Sequence, residues 1–481
     1  MNRPPRKALT AMFAVIVAIE TAALIEQTLA QDVPFGVLGL QVVTSSTFQI
    51  LAPLSPLLVL LILYSWVGRV LTKIVSKRRA RYALIQRFRF LSQISQSLPV
   101  SWEGTGVPLL QRPLAILSIS MASAFLLALL PYRPDINPAG IPVGTDTPEY
   151  IQWVNQMLQK PVPQALGYAF SQASNGSRPL SLIFPYIMSA LLGVSGDVSV
   201  KFYPLLLAPL LVISSFLFVL LGFGDKRTAG LVAMMTTFSF QFTVGMWAGY
   251  YSNWLALAES YLFLGIILRF SYSGSKVTFL GIVFSSLSLL FTHPWTWDLM
   301  ILLAAIFMVE RSLRTHDLRL MKTIILVAII SLAVDILRSF VLSTVAGSGS
   351  GLEFAVSSAG FAQSLMLWPD VVATFVQYYN GLLADAVILG LSLMTVWRTW
   401  DSNAPFSRLL IWWVALASLP FPFLTSIWQS RIVYLLPTPV LASAGVIGIG
   451  KLGCGNTQKI LIILLLVLYS ANYSLSAILQ I

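Results

Sequence analysis

The run PLAILSISMASAFLLALL, Pro113 to Leu130, carries no charge, and it is soon followed by IPVGTDTPEYIQWV, Ile141 to Val154, which holds the carboxylates Asp146 and Glu149. A helix of that length rises about 27 Å, close to the roughly 30 Å of hydrocarbon in a bilayer. The two acids therefore belong just outside a membrane, beside its hydrocarbon edge. They stand out because the chain has only 18 Asp and Glu in 481 residues.

Composition extends that reading to the whole chain. Hydrophobic residues make up 57% and charged residues 10%, against about 25% charged in ordinary soluble domains. Repeated apolar runs of about 17 to 25 residues predict transmembrane helices, because a helix satisfies its own backbone hydrogen bonds in lipid. The fold expected is all-α, a polytopic transmembrane helical bundle.

The net charge of +12 is concentrated: nine Lys or Arg and one acid, Glu103, lie between Arg69 and Arg112, and Arg3, Arg6 and Lys7 add three more. This is the positive-inside pattern, which places both segments in the cytoplasm. It accounts for the charge without nucleic acid, for which the basic loop shows no recognisable fold. The single cysteine, Cys454, excludes an internal disulfide, and the two histidines, His293 and His316, argue against a multi-His zinc site. The first apolar run reads as a retained anchor, since no convincing cleavage site follows it.

If every later basic link is also cytoplasmic, about thirteen spans alternate without conflict. They fall at Leu9 to Ala30, Phe48 to Val67, Pro113 to Leu130, 202 to 222, 228 to 246, 253 to 269, 277 to 292, 296 to 309, 323 to 345, 381 to 397, 408 to 427, 432 to 450 and 460 to 479. The chain divides into two amino-terminal helices (1–67), a basic cytoplasmic loop (68–112) that also suits an anionic membrane surface, and a core (113–481). Two external loops are long, 132–201 and 346–380. In the first, Glu149 to Leu158 is amphipathic and Leu180 to Val194 is too short to cross, which predicts interfacial or half-inserted helices.

From Pro113 onward the layout resembles the GT-C superfamily of membrane glycosyltransferases, which includes oligosaccharyltransferases, protein O-mannosyltransferases and aminoarabinose transferases. The resemblance rests on the acidic GTDTPEY in the first external loop of the core, on Arg178, Pro179 and Leu180 leading into a short helix, and on the glycine-rich basic turn LLGFGDKR, Leu220 to Arg227. It is joined by WQSRIVYLLPTP, Trp428 to Pro439, near an external helix end. It implies transfer of a sugar from a polyprenyl-phosphate-linked donor, dissolved in membrane lipid, to an acceptor of unknown kind on the external face of a cell membrane. Some members hold a divalent metal with acids of their first two external loops. Here the second, WAGYYSN, has no acid and Glu259 lies inside the following span, so a metal is doubtful and no cofactor is assigned.

That chemistry needs a carboxylate to accept the acceptor's proton and cations to stabilise the departing phosphate. The resemblance puts the carboxylate at Asp146, with Glu149 three residues on. The same residues also read as a helix start, Thr145 or Asp146 capping and Glu149 in the first turn, and a cap can also position a base. Arg431 is the first candidate for the phosphate, because an external arginine breaks the positive-inside bias; Arg178 is the second, and Tyr434 shares the Arg431 motif. In FTHPWTWD, His293 and Asp298 are candidates for hydroxyl or phosphate groups and Trp295 for stacking on a sugar, against the alternative of an interfacial aromatic belt. Asn175, Gly176 and Ser177 form an acceptor sequon of little weight.

Two other functions fit parts of the chain. A multi-helix transporter would use the buried acids Glu20, Glu259 and Asp335, although no internal repeat supports it. A surface-polysaccharide polymerase or ligase would share the donor and differ in acceptor.

Overall fold

The computed structural model describes residues 112–342, 404–418 and 431–450, with isolated helical positions at 18, 392, 395, 457, 460 and 464. Among the described residues the regular elements are all helical. Five stretches are long and apolar enough to cross a membrane: Pro113–Tyr132, Gly196–Phe223, Lys226–Met246, Tyr251–Ser273 and Leu318–Leu342. They mark the chain as a membrane protein.

The helices are α1 (Pro113–Leu129), α2 (Thr147–Leu158), α3 (Val162–Ser171), α4 (Pro179–Leu192), α5 (Gly196–Lys201), α6 (Pro204–Phe223), α7 (Lys226–Thr237) and α8 (Phe240–Ala248). They continue with α9 (Tyr251–Ser273), α10 (Lys276–Thr292), α11 (Pro294–Thr315), α12 (Leu318–Leu342), α13 (Pro405–Ser418) and α14 (Thr438–Gly450). At the centre, α6 packs against α9, α7 and α1. Rings of Phe218, Tyr261, Phe406 and Trp413 interlock there at 5.2 to 6.0 Å and join α6 and α9 to α13.

Lipid tails are as apolar as leucine, so helices in a bilayer associate through close packing and through hydroxyls that find partners, on average about 0.6 kcal/mol per hydrogen bond. The Thr237 hydroxyl donates to the Ser120 carbonyl of α1 at 3.1 Å, and Thr236 donates to Ser215 of α6 at 2.9 Å. Ser286 of α10 lies 2.9 Å from Ser331 of α12 and accepts from the Trp297 indole of α11 at 2.9 Å. Away from these, Glu310 of α11 pairs with Arg314 at 2.7 Å and with Arg408 at 2.8 Å, which ties α11 to α13.

Two expected spans are interrupted. The run 228–246 reads as one helix in its hydropathy, yet α7 ends at Thr237 and α8 starts at Phe240. Thr236, Thr237 and Ser239 each turn a hydroxyl onto a nearby backbone carbonyl, at Val232, Ala233 and Thr236, and so compete locally with the helical ladder. The run 432–450 opens with a single helical turn at 431–434, and α14 begins only after Pro437, which cannot donate to the ladder.

The first long loop is itself helical. Its α4 has 14 residues, so it is about 21 Å long and falls short of 30 Å of hydrocarbon, as expected of a segment too short to cross. There α2 packs on α3, α4 and α5, while α4 reaches α9 and α10 and α3 reaches α12. The loop therefore sits on the end of the bundle where α10 finishes and α9 and α11 begin. The two amino-terminal helices apart from position 18, the basic loop 68–112 apart from its last residue, the loop 346–380, most of spans 381–397 and 460–479, the end of span 408–427, Trp428 and Cys454 lie outside the described residues.

Candidate active site

The acidic motif is fixed by backbone contact with the α8–α9 junction. Gly144 has φ +109° and Gly249 has φ +67°, values that side chains rarely permit, and the two turns meet face to face. The Asp146 N–H donates to the Ala248 carbonyl at 3.0 Å. The buried Thr147 hydroxyl donates to the Val143 carbonyl at 2.6 Å and lies 2.9 Å from the Tyr251 hydroxyl. The Tyr150 hydroxyl accepts from the Ser252 N–H at 3.1 Å. Asp146 stands at the N-cap of α2, with Glu149 in the first turn, but its side chain accepts no capping hydrogen bond. The capping use of the Asp146 carboxylate is thus corrected: backbone contacts with the α8–α9 junction hold the turn, and the carboxylate is left for other work.

Two arginines from distant parts of the chain act on that carboxylate through their charge. Arg178 stands at the start of α4, its Nη1 donating to the Tyr150 hydroxyl at 3.3 Å and its guanidinium 5.9 Å from the Trp153 ring centre. Arg431 belongs to the turn that carries Tyr434, whose hydroxyl donates to the Gln241 carbonyl at 2.9 Å and whose ring meets Tyr250 edge-on. Gln241 Nε2 in turn donates to the Leu436 carbonyl at 2.7 Å and to Thr438 at 3.1 Å, so α8 clasps the carboxyl-terminal segment.

Burial raises the pKa of Asp146 above the ordinary aspartate value; Arg178 opposes the rise, Glu149 adds to it and Arg431 opposes it. Burial and the charge of Arg178 together press the Arg431 pKa downward. Arg178, Arg431 and Asp146 thus influence one another's charge in surroundings largely shielded from water, where charge interactions are stronger than in bulk solvent.

His293 feels the charge of both arginines. It joins α10 to α11 and caps α11, its Nδ1 accepting from the Thr296 N–H at 3.3 Å and lying 2.7 Å from the Thr296 hydroxyl. A ring nitrogen that accepts from an amide has no proton, so Nε2 carries the hydrogen and remains a donor. Burial, then Arg178 and Arg431, hold its pKa well below the usual histidine value. The ring is therefore neutral at physiological pH.

The remaining candidates are distributed differently. Glu149 is exposed and acts on the site through its charge. Trp295 packs beside Ala417 and Ile432, next to Arg431. Asp298 falls in a separate group, in electrostatic reach of Asp335, which pairs with Arg338 at 2.8 Å. Glu259 accepts from the Ser288 hydroxyl at 2.6 Å. Among the described residues no three His, Cys, Asp or Glu side chains converge as a metal-ligand set. Sequence reading missed Tyr150, although it ends the quoted motif, and the pairing of Gly144 with Gly249, for which only the glycines themselves gave a signal.

No family model and no curated protein matches the chain.

Proposed function

We propose that this protein is a membrane glycosyltransferase of GT-C type that moves a sugar from a polyprenyl-phosphate-linked donor to an acceptor on the external face of the cell membrane. The observation that carries the reading is the convergence of Asp146, Arg178 and Arg431, three charged side chains from distant parts of the sequence, at one end of an apolar bundle. A lipid-linked phosphate needs both a hydrocarbon path for its tail and cations where the tail ends. In the same reading the 481 residues form about thirteen spans, with the amino-terminal side in the cytoplasm.

The chemistry follows from the groups present. Arg178 and Arg431 hold the donor phosphate and stabilise the charge it gains as it leaves. The acceptor oxygen forms a bond to the anomeric carbon as the bond from that carbon to the phosphate oxygen breaks, its electron pair departing with the phosphate. Asp146 takes the acceptor's proton, a role that suits a carboxylate with a raised pKa. His293, held neutral, offers an Nε2–H to a sugar or phosphate oxygen.

The test is transfer from a pool of polyprenyl-phosphate sugars in proteoliposomes, native protein against Asp146→Asn. Transfer by the native protein alone, with the variant folded, is the expected result. Transfer by neither across a broad donor set overturns the proposal and favours a transporter.

A further inference from the structure

The turn that leads into Arg178 is held by a different helix. Ser174, Asn175 and Gly176 are three consecutive residues in the left-handed region, at φ 48°, 55° and 66°, and non-glycine residues there carry roughly 1–3 kcal/mol of strain each unless their surroundings impose it. From α12, Arg338 Nη1 donates to the Gly176 carbonyl at 2.5 Å and to the Phe170 carbonyl at 3.2 Å. Its Nη2 pairs with Asp335 at 2.8 Å, and the two side chains are 8% and 1% exposed.

The same guanidinium lies 5.8 Å from the centre of the Phe291 ring, which meets Phe170 edge-on at 5.6 Å. Arg338 therefore touches the backbone two residues before Arg178 and the ring two residues before His293. Gly176 makes this approach possible, since a Cβ there would overlap the Phe170 carbonyl and come within 3.0 Å of Arg338 Nη1. A buried ion pair gains little over well-packed apolar residues of the same size. Stability alone gives a poor reason for placing one here, whereas fixing the direction of a backbone gives a good one.

We propose that Arg338 is a positioning residue: by clamping the Phe170 and Gly176 carbonyls it sets where Arg178 stands, and so sets affinity for the donor phosphate. The inference rests on the function proposed above. Asp335 holds the clamp in orientation through its ion pair with Arg338.

The experiment is a double-mutant cycle read in donor KM and kcat. Arg338→Gln is expected to raise donor KM and to lower kcat, for a loss of roughly tenfold or more in kcat/KM, because Arg178 both binds the phosphate and stabilises the charge it gains on leaving. Added to Arg178→Gln it is expected to change KM no further, because it acts through Arg178. Gly176→Ala attacks the same contact from its other side without altering charge, and is expected to give the same signature even if Arg338→Gln folds poorly. A nitroxide on Gln172→Cys, in a Cys454→Ser background, is expected to gain mobility in either variant. An unchanged KM, independent effects of Arg178→Gln and Arg338→Gln, or an unchanged nitroxide spectrum overturns the proposal. If the native protein transfers nothing, the proposed function fails, and the spectrum still decides whether Arg338 holds the turn.

Discussion

Gly144 and Gly249 approach so closely that a Cβ built on Gly144 would lie 2.8 Å from the Gly249 Cα and 2.8 Å from the Met246 carbonyl oxygen. Asp146 is therefore placed by a backbone-to-backbone contact that no other residue type allows. Gly144→Ala is expected to cost about 1–3 kcal/mol in local strain and, by displacing the carboxylate about 1 Å, about a hundredfold in transfer. Thermal unfolding in detergent beside the transfer rate separates the two effects; a variant with native activity contradicts the placement.

Asp146 accepts a proton only when ionised, so transfer is expected to be full at high pH and to fall as pH drops through its raised pKa. Arg178 lowers that value and Glu149 raises it. The acid limb of kcat/KM should move up in Arg178→Gln and down in Glu149→Gln. Asp146→Asn should lose about 10²–10⁴-fold in rate. A limb that stays fixed in both charge variants assigns the titration to another group.

His293 combines a cap with a donor, and substitution can divide them. His293→Ala is expected to lose about 1 kcal/mol of stability together with transfer, whereas His293→Asn restores the cap but not Nε2–H. Recovery of stability without recovery of transfer is the expected outcome. Recovery of both reduces His293 to a structural residue.

In the proposed mechanism Arg431 makes the phosphate contact from the carboxyl-terminal side. A hydrogen bond to a charged group contributes about 1.5–3 kcal/mol, so Arg431→Gln should weaken inhibition by the product polyprenyl phosphate by about 10- to 150-fold. Arg431→Lys should retain part of the charge but lose the two-pronged geometry. Titration of the transfer assay with polyprenyl phosphate measures both.

Hydropathy located α1, α6, α9 and α12 because each is an apolar run with a polar or glycine break at its end. It missed the interruption at Ser239, since hydroxyls that bond back to the helix leave the run apolar on average. The carboxylate and arginines were legible as residue types in unusual places. Their meeting was not, because it depends on Gln241 reaching Leu436 and on Gly144 meeting Gly249, contacts with no local periodicity. Asp335 and Arg338 lie three apart on one helical face, a spacing visible in the sequence, yet only the fold shows Arg338 turned onto the Gly176 carbonyl.

The clasp between Gln241 and the Leu436–Thr438 segment also has a consequence in time. Arg431 is synthesised long after Asp146 and Arg178, and it reaches them only by docking against α8, a helix already made. The proposed pair of arginines therefore does not exist on the nascent chain until residue 431 has left the ribosome and packed. A chain cut short before that point would keep the acidic turn, α4 and the central helices, yet would lack the second of the two arginines that the proposed mechanism requires.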